Sequence, residues 1–213
     1  MESFSRRRTL RALAAAPLGG LMVLPASAAE TLHGETDMKD DRLAILEDRQ
    51  RIQDVLMQYA RGWDRLDEQM LRDCFFPDAT HEHGGFEGQS QDFITGGLVS
   101  VGKVIATRHM ITNIWIEVDG DRAISECYFA ASHRRFDKTG EREEDYFLQG
   151  RYLDRFERRE GRWKIAHRLG VNELKWIEPR LERDVSLAVE EQRAHRKPLD
   201  PYYAMLEAFR KGL

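Results

Sequence analysis

Four stretches of alternating apolar and polar residues, at 106–118, 123–134, 146–157 and 163–176, constrain the fold more than any other feature of the chain. Side chains of a strand point to opposite faces in turn, so each stretch reads as a half-buried strand. Asp119-Gly120 and Arg159-Glu160-Gly161 leave room only for tight turns, and the charged run KTGEREE links the middle two strands. Strands joined so closely run antiparallel. Ahead of them the period changes. From Leu43 onward apolar residues recur at helical spacing through Ile52, Val55, Leu56, Tyr59, Ala60 and Trp63. A shorter helix over 68–75 gathers Met70, Leu71, Cys74 and Phe75 on one side and stops where Pro77-Asp78 turns the chain. A short strand is expected over 80–86, then a third helix capped by Ser90 and interrupted by Gly96-Gly97. Helices gathered ahead of an antiparallel sheet define an α+β fold, with the helices covering one face of a strongly curved sheet.

The ends of the chain read differently. Ser5-Arg6-Arg7-Arg8-Thr9-Leu10-Arg11 precedes a weakly apolar stretch and then the small residues Pro25-Ala26-Ser27-Ala28, an order that resembles a twin-arginine export signal. The longest charge-free run, 12–29, is too short and too rich in Ala and Gly for a permanent membrane span. The expected organisation is therefore a signal over 1–29, a flexible leader over 30–42, one domain over 43–178 and a charged, helix-prone extension over 179–213. That extension is interrupted by KPLDP, carries a weak stripe of Tyr203, Leu206 and Phe209, and is expected to pack on a neighbouring subunit or to cap the sheet. Loss of the signal moves the net charge from -4 to -7, which argues against a nucleic-acid partner. A periplasmic location follows, with no membrane contact after cleavage. Cys74 and Cys127 either pair there or are buried singly, and burial is the expectation.

Candidate chemistry sits on the concave face. His81, His83, His109, His133 and His167 all fall in or beside predicted strands. Strand parity puts Thr107, His109, Ile111 and Asn113 on one face, and Arg168, Gly170 and Asn172 on one face of the last strand. Asp64 follows the apolar stripe of the first long helix, where its carboxylate can meet a strand histidine, orient the ring and stabilise its protonated form. Taken singly, Asp64 also fits a helix-end turn residue, Tyr59 a core aromatic, and Arg168 a surface cation. His81-Glu82-His83 puts two imidazoles on one side of a strand, a spacing that also permits a metal, although no metal is expected. Alternation turns Cys127, Phe129, Ala131 and Tyr152 inward as cavity lining or ordinary core.

The segments RQRIQDVLMQYARGWDRLDEQMLRDCFFPDATHEHGGFEG, TRHMITNIWIEVDGDRAISECYF and GRYLDRFERREGRWKIAHRLGVNELKW resemble the SnoaL-like branch of the nuclear transport factor 2-like superfamily, over roughly residues 43–178. Members of that branch are similar to scytalone dehydratase, bile-acid 7α-dehydratase and hexachlorocyclohexane dehydrochlorinase. The resemblance implies a curved antiparallel sheet with helices enclosing a conical pocket, and elimination chemistry that needs no cofactor. It also implies an acid–base pair of Asp64 with His109, assisted by Tyr59 and Arg168. A bulky, mostly apolar aromatic or polycyclic substrate is expected to meet His81, His83, Asn113, Phe129, Tyr152 and Asn172. Loss of water, halide or formaldehyde is the expected reaction. An isomerase that shuttles a proton along an enone and a non-catalytic carrier of hydrophobic ligands use the same pocket. An epoxide hydrolase needs a second pocket carboxylate, for which only Asp154 offers itself. A homodimer or homotrimer through the outer face of the sheet is the expected assembly.

Overall fold

A computed structural model describes residues 26–180 and 194–212, with side chains from Asp41 onward. Most of the expected export signal and residues 181–193 of the extension lie outside the described residues. The chain divides into the units Met1–Asp41 and Arg42–Leu213. The backbone is already helical at Ala26 and stays so through the expected leader, as helix α1, Ala26–Arg65. No described helix is long and apolar enough to cross a membrane.

Within the second unit, α1 buries Ile52, Leu56, Tyr59 and Trp63, a stripe at helical spacing that faces the sheet. It ends at Leu66, which adopts a left-handed backbone (φ 50) while the Asp67 N–H donates 2.9 Å to the Gly62 carbonyl. Asp67 then caps α2, Glu68–Asp73, its side chain accepting from the Met70 N–H. The sheet follows as β1, Phe75–His83, and β2, Phe86–Gln89, then α3, Ser90–Val101, and the long strands β3, Ala106–Asp119, β4, Arg122–Phe136, β5, Glu143–Arg159, and β6, Arg162–Pro179. A last helix, α4, spans Pro201–Arg210. The four long strands match the alternating stretches of the sequence, and Glu160-Gly161, both at positive φ, make the tight turn between β5 and β6.

Three expectations need correction. The sheet order is β2-β1-β6-β5-β4-β3, and β1 pairs with β6 in parallel, so the sheet is mixed rather than antiparallel throughout. Local turns specify only neighbours in sequence, and this seam joins residues far apart in the chain. Pro77-Asp78 does not turn the chain but lies inside β1, where the register with β6 shifts between Phe75 and Thr80, as suits a residue with no N–H to donate. Ser90 does not cap α3, because it is the first helical residue, buried, and the N-cap position belongs to Gln89. In the described part of the extension, residues 196–203 bond to the end of α1 in the same chain.

Packing explains two sequence features. Gly97 is where α3 meets Trp63, since a Cβ there falls 2.3 Å from the indole. Asp48, buried on α1, accepts from Trp163 Nε1 at 2.7 Å and pairs with Arg158 at 2.9 Å, tying the helix to the β5–β6 hairpin. Cys74 and Cys127 are both buried free thiols, each pushed up to about 12 by burial.

Candidate active site

Two polar centres occupy the concave side. The first forms where the last turn of α1 meets the start of β3. His109 Nδ1 lies 2.8 Å from Asp64 Oδ1, and the His109 backbone N–H donates to both carboxylate oxygens, at 3.0 and 3.2 Å. An acceptor at Nδ1 puts the proton of a neutral ring there and leaves Nε2 with a free lone pair. Both side chains are nearly enclosed, 10% and 15% exposed. His133, on β4 opposite Thr107, stands beside His109 with ring centroids 5.4 Å apart. Its Nδ1 lies 2.8 Å from Thr107 Oγ1, and burial, then the neighbouring His109, holds its pKa down to about 4. A small cavity of about 170 Å³ adjoins this centre, walled by Asp64, Thr107 and Arg196.

The second centre is sealed. Arg168 on β6 and Asp154, its register partner on β5, are both wholly buried and joined by two bonds of 2.7 Å. The guanidinium lies between Tyr59 and Tyr152, 4.1 Å from each ring centroid. Burial opposes its charge, but Asp154 overrides that and holds its pKa well above the ordinary arginine value. Burial also raises the phenols of Tyr59 and Tyr152. Beside Arg168 across the parallel seam, His81 stacks on Phe93 at 3.8 Å, with burial and then the Arg168 charge driving its pKa down to about 2. Neither ring nitrogen of His81 has a hydrogen-bond partner among the described residues.

A cavity of about 440 Å³ has a wall that includes His83, Phe93, Tyr146, Leu148 and Asn172. His83 Nε2 sits 3.0 Å from Asn172 Oδ1, and burial lowers the pKa of the ring. Gly170 makes room for it, since a Cβ there falls 2.4 Å from the ring. Phe129 stacks on Tyr152 at 4.4 Å, behind His83. Tyr146 stacks on His133 at 5.9 Å and so joins the cavity rim to the first centre.

Of the residues expected at the site, Asp64 and His109 come together, and His81, His83, Phe129, Tyr152, Tyr59, Arg168 and Asn172 gather in or under the cavity. Asn113 does not join them. It is exposed at a bulge with φ 49, and the shift of register between Thr112 and Trp115 moves the inward face to Ile114 and Ile116. Asp154 offers no second free carboxylate, because Arg168 takes both its oxygens. Among the described residues no group of three or more His, Cys, Asp and Glu side chains is arranged to hold a metal, and His81 and His83 stack 6.1 Å apart instead of converging. Arg196 escaped sequence reasoning as a site residue, and Asp154 was weighed only as a free carboxylate, not as the partner of Arg168. Asp154 had a signal, an acid on the inward parity of β5 between Tyr152 and Phe156, which demands a buried cation.

The SnoaL-like domain model matches residues 44–169, more than half of the chain. This chain belongs to the SnoaL-like family. No curated protein matches it. Among solved structures it is similar to a hexachlorocyclohexane dehydrochlorinase, LinA type 3, from Novosphingobium barchaimii LL02 (20% identity, 70% of this chain and 99% of that one, TM-score 0.57). It is also similar to a candidate scytalone dehydratase from Novosphingobium aromaticivorans (24%, 70% and 97%, TM-score 0.54). A protein with a cystatin-like fold from Nostoc punctiforme shares the architecture (16%, 59% and 91%, TM-score 0.50). At these identities the SnoaL-like chain and its neighbours share the curved α+β fold. The family match stops at residue 169, before the end of β6 and the whole of the C-terminal segment.

Proposed function

We propose that this SnoaL-like protein is a cofactor-independent lyase that eliminates a leaving group from a bulky, largely apolar aromatic or polycyclic alcohol. The contact of Asp64 Oδ1 with His109 Nδ1, at 2.8 Å, carries the reading. It aims a lone pair at Nε2 and offers a counter-charge to the imidazolium that forms when Nε2 takes a proton. A carbon-bound proton passes to Nε2, the C–H electron pair becomes the new double bond, and the C–O bond breaks with its pair going to the leaving oxygen, which takes the proton back from the His109 imidazolium to leave as water. Loss of halide follows the same path; loss of formaldehyde begins instead at a hydroxyl proton and breaks a C–C bond. Phe93, Tyr146 and Leu148 hold the apolar rings, and His83 with Asn172 hydrogen-bonds the leaving oxygen. Arg168, Tyr59 and His81 lie beneath, and the fixed charge of Arg168 favours negative charge developing above it.

The exported form is the working form in this reading. It assembles as a homodimer or homotrimer through the outer face of β3 and β4, where Met110, Ile124 and Tyr128 are exposed on one side. The test is mass spectrometry of mature protein and His109→Ala, each incubated with aromatic diols, steroid alcohols and halogenated rings. Product with wild type alone supports the lyase. A substrate returned with its mass unchanged but with solvent deuterium incorporated points to an isomerase, and ligand retained unaltered by both proteins to a carrier.

A further inference from the structure

Beyond the family match, residues 194–203 return to the end of α1 and are held there by several bonds. Lys197 pairs with Asp67 at 2.7 Å, Arg65 with Asp200 at 3.1 Å, and the Lys197 N–H donates 3.0 Å to the Arg65 carbonyl. The Arg61 guanidinium lies 3.9 Å from the Tyr202 ring. Both acids are nearly sealed, each 6% exposed at the side chain, so these pairs are less screened than surface ones. The result is delivery of one cation to the first centre. Arg196 Nη1 donates 2.6 Å to the backbone carbonyl of Asp64, and the side chain walls the small cavity beside Asp64 and Thr107.

The last carbonyls of a helix have no partner within it, and the helix end carries partial negative charge. Arg196 answers both at the residue whose carboxylate grips His109. We propose that Arg196 is a positioning residue of the Asp64–His109 pair, holding the last turn of α1 so that the carboxylate meets the ring and backbone N–H groups of His109 together. The inference rests on the reading of that pair as the proton-transfer site. The charges that Arg196 meets are Asp64, which favours it, and Arg65, which opposes it. His133, held down mainly by burial and by His109, is raised by Asp64 and lowered further by Arg135 and Arg196. Removing the Arg196 charge therefore leaves His133 easier to protonate.

The test is nuclear magnetic resonance of the full chain labelled with 15N-histidine, titrated without substrate. Wild type is expected to show a low-field, slowly exchanging His109 Nδ1 proton. Arg196→Met, which keeps the apolar stem, loses that signal to exchange and shifts the His133 midpoint upward. Arg196→Lys keeps the charge without the planar fork, so the His133 midpoint stays near wild type while the His109 signal weakens. A His109 proton signal and a His133 midpoint both unchanged in Arg196→Met overturn the proposal. If that variant does not fold, an undiminished His109 signal in Arg196→Lys overturns it instead. No turnover is read, so failure here leaves the lyase standing, and intact signals in a protein that transforms no substrate sink the lyase alone.

Discussion

The two carboxylate pairs of the concave face have nearly the same bond lengths and opposite surroundings. Asp64 and His109 meet at 2.8 Å with 15% and 10% of their side chains exposed, whereas Asp154 and Arg168 meet at 2.7 Å with none. The partner in the first pair is an imidazole, whose ring nitrogens can both accept and donate; the partner in the second is a guanidinium, which only donates. Taking two charges out of water costs several kcal/mol per ion, so the inner pair needs its two parallel bonds and its aromatic sandwich merely to break even. The sealed pair thus fixes shape, and the slightly exposed one is the pair proposed for proton transfer.

Five experiments break or sharpen that contrast. Asp64→Asn is expected to cut turnover by about 10²–10⁴, the share of a positioned acid–base group, with little change in urea midpoint. Turnover within about threefold of wild type would sink the assignment. Asp154→Asn acts the other way, leaving Arg168 buried and uncompensated and lowering stability by about 3–5 kcal/mol in urea denaturation. Replacing both members, Asp154→Leu with Arg168→Met, recovers most of that loss if the pair serves shape alone. The pH dependence of stability comes next. An unfolded histidine titrates near 6.5, while His133 and His81 are held to about 4 and about 2 in the folded chain. Below pH 6.5 the unfolded state binds protons that the folded state refuses, so stability falls from there down toward those folded values. The slope is up to about 1.4 kcal/mol per pH unit for each group. Urea midpoints between pH 7 and pH 5 read it, and His81→Phe removes one share of the slope; an unchanged slope would clear His81 of any part. Thr107→Val, which takes the partner from His133 Nδ1, is expected to cost only about 1 kcal/mol in the same assay.

Much of the outer pair was legible. Asp64 stands one residue past an apolar helical stripe, and His109 falls on the inward parity of a strand, so both follow from periodicity and the family resemblance. The long strands and the β5–β6 turn were legible for the same local reason. What escaped depends on pairing across distance. The register that sets Asp154 against Arg168 belongs to two strands at once, and the parallel seam of β1 on β6 has no signature in either segment. Asn113 misled because a one-residue bulge reverses parity without a glycine to announce it. Arg196 looked like one more charge in a solvated run, and only the anchoring of its neighbours on α1 gives it a place.

The seam between β1 and β6 also sets an order of events. Thr80 Oγ1 bonds His167 Nδ1 across 87 residues of chain, the reach of the parallel pairing. Contacts of such separation form late, because the loop between them must first be ordered. During synthesis, β1 and its two histidines wait with an unsatisfied edge until the final strand has left the ribosome. The cavity wall that takes His83 from β1 and Asn172 from β6 therefore depends on that late pairing, and a chain cut short before β6 lacks one side of it.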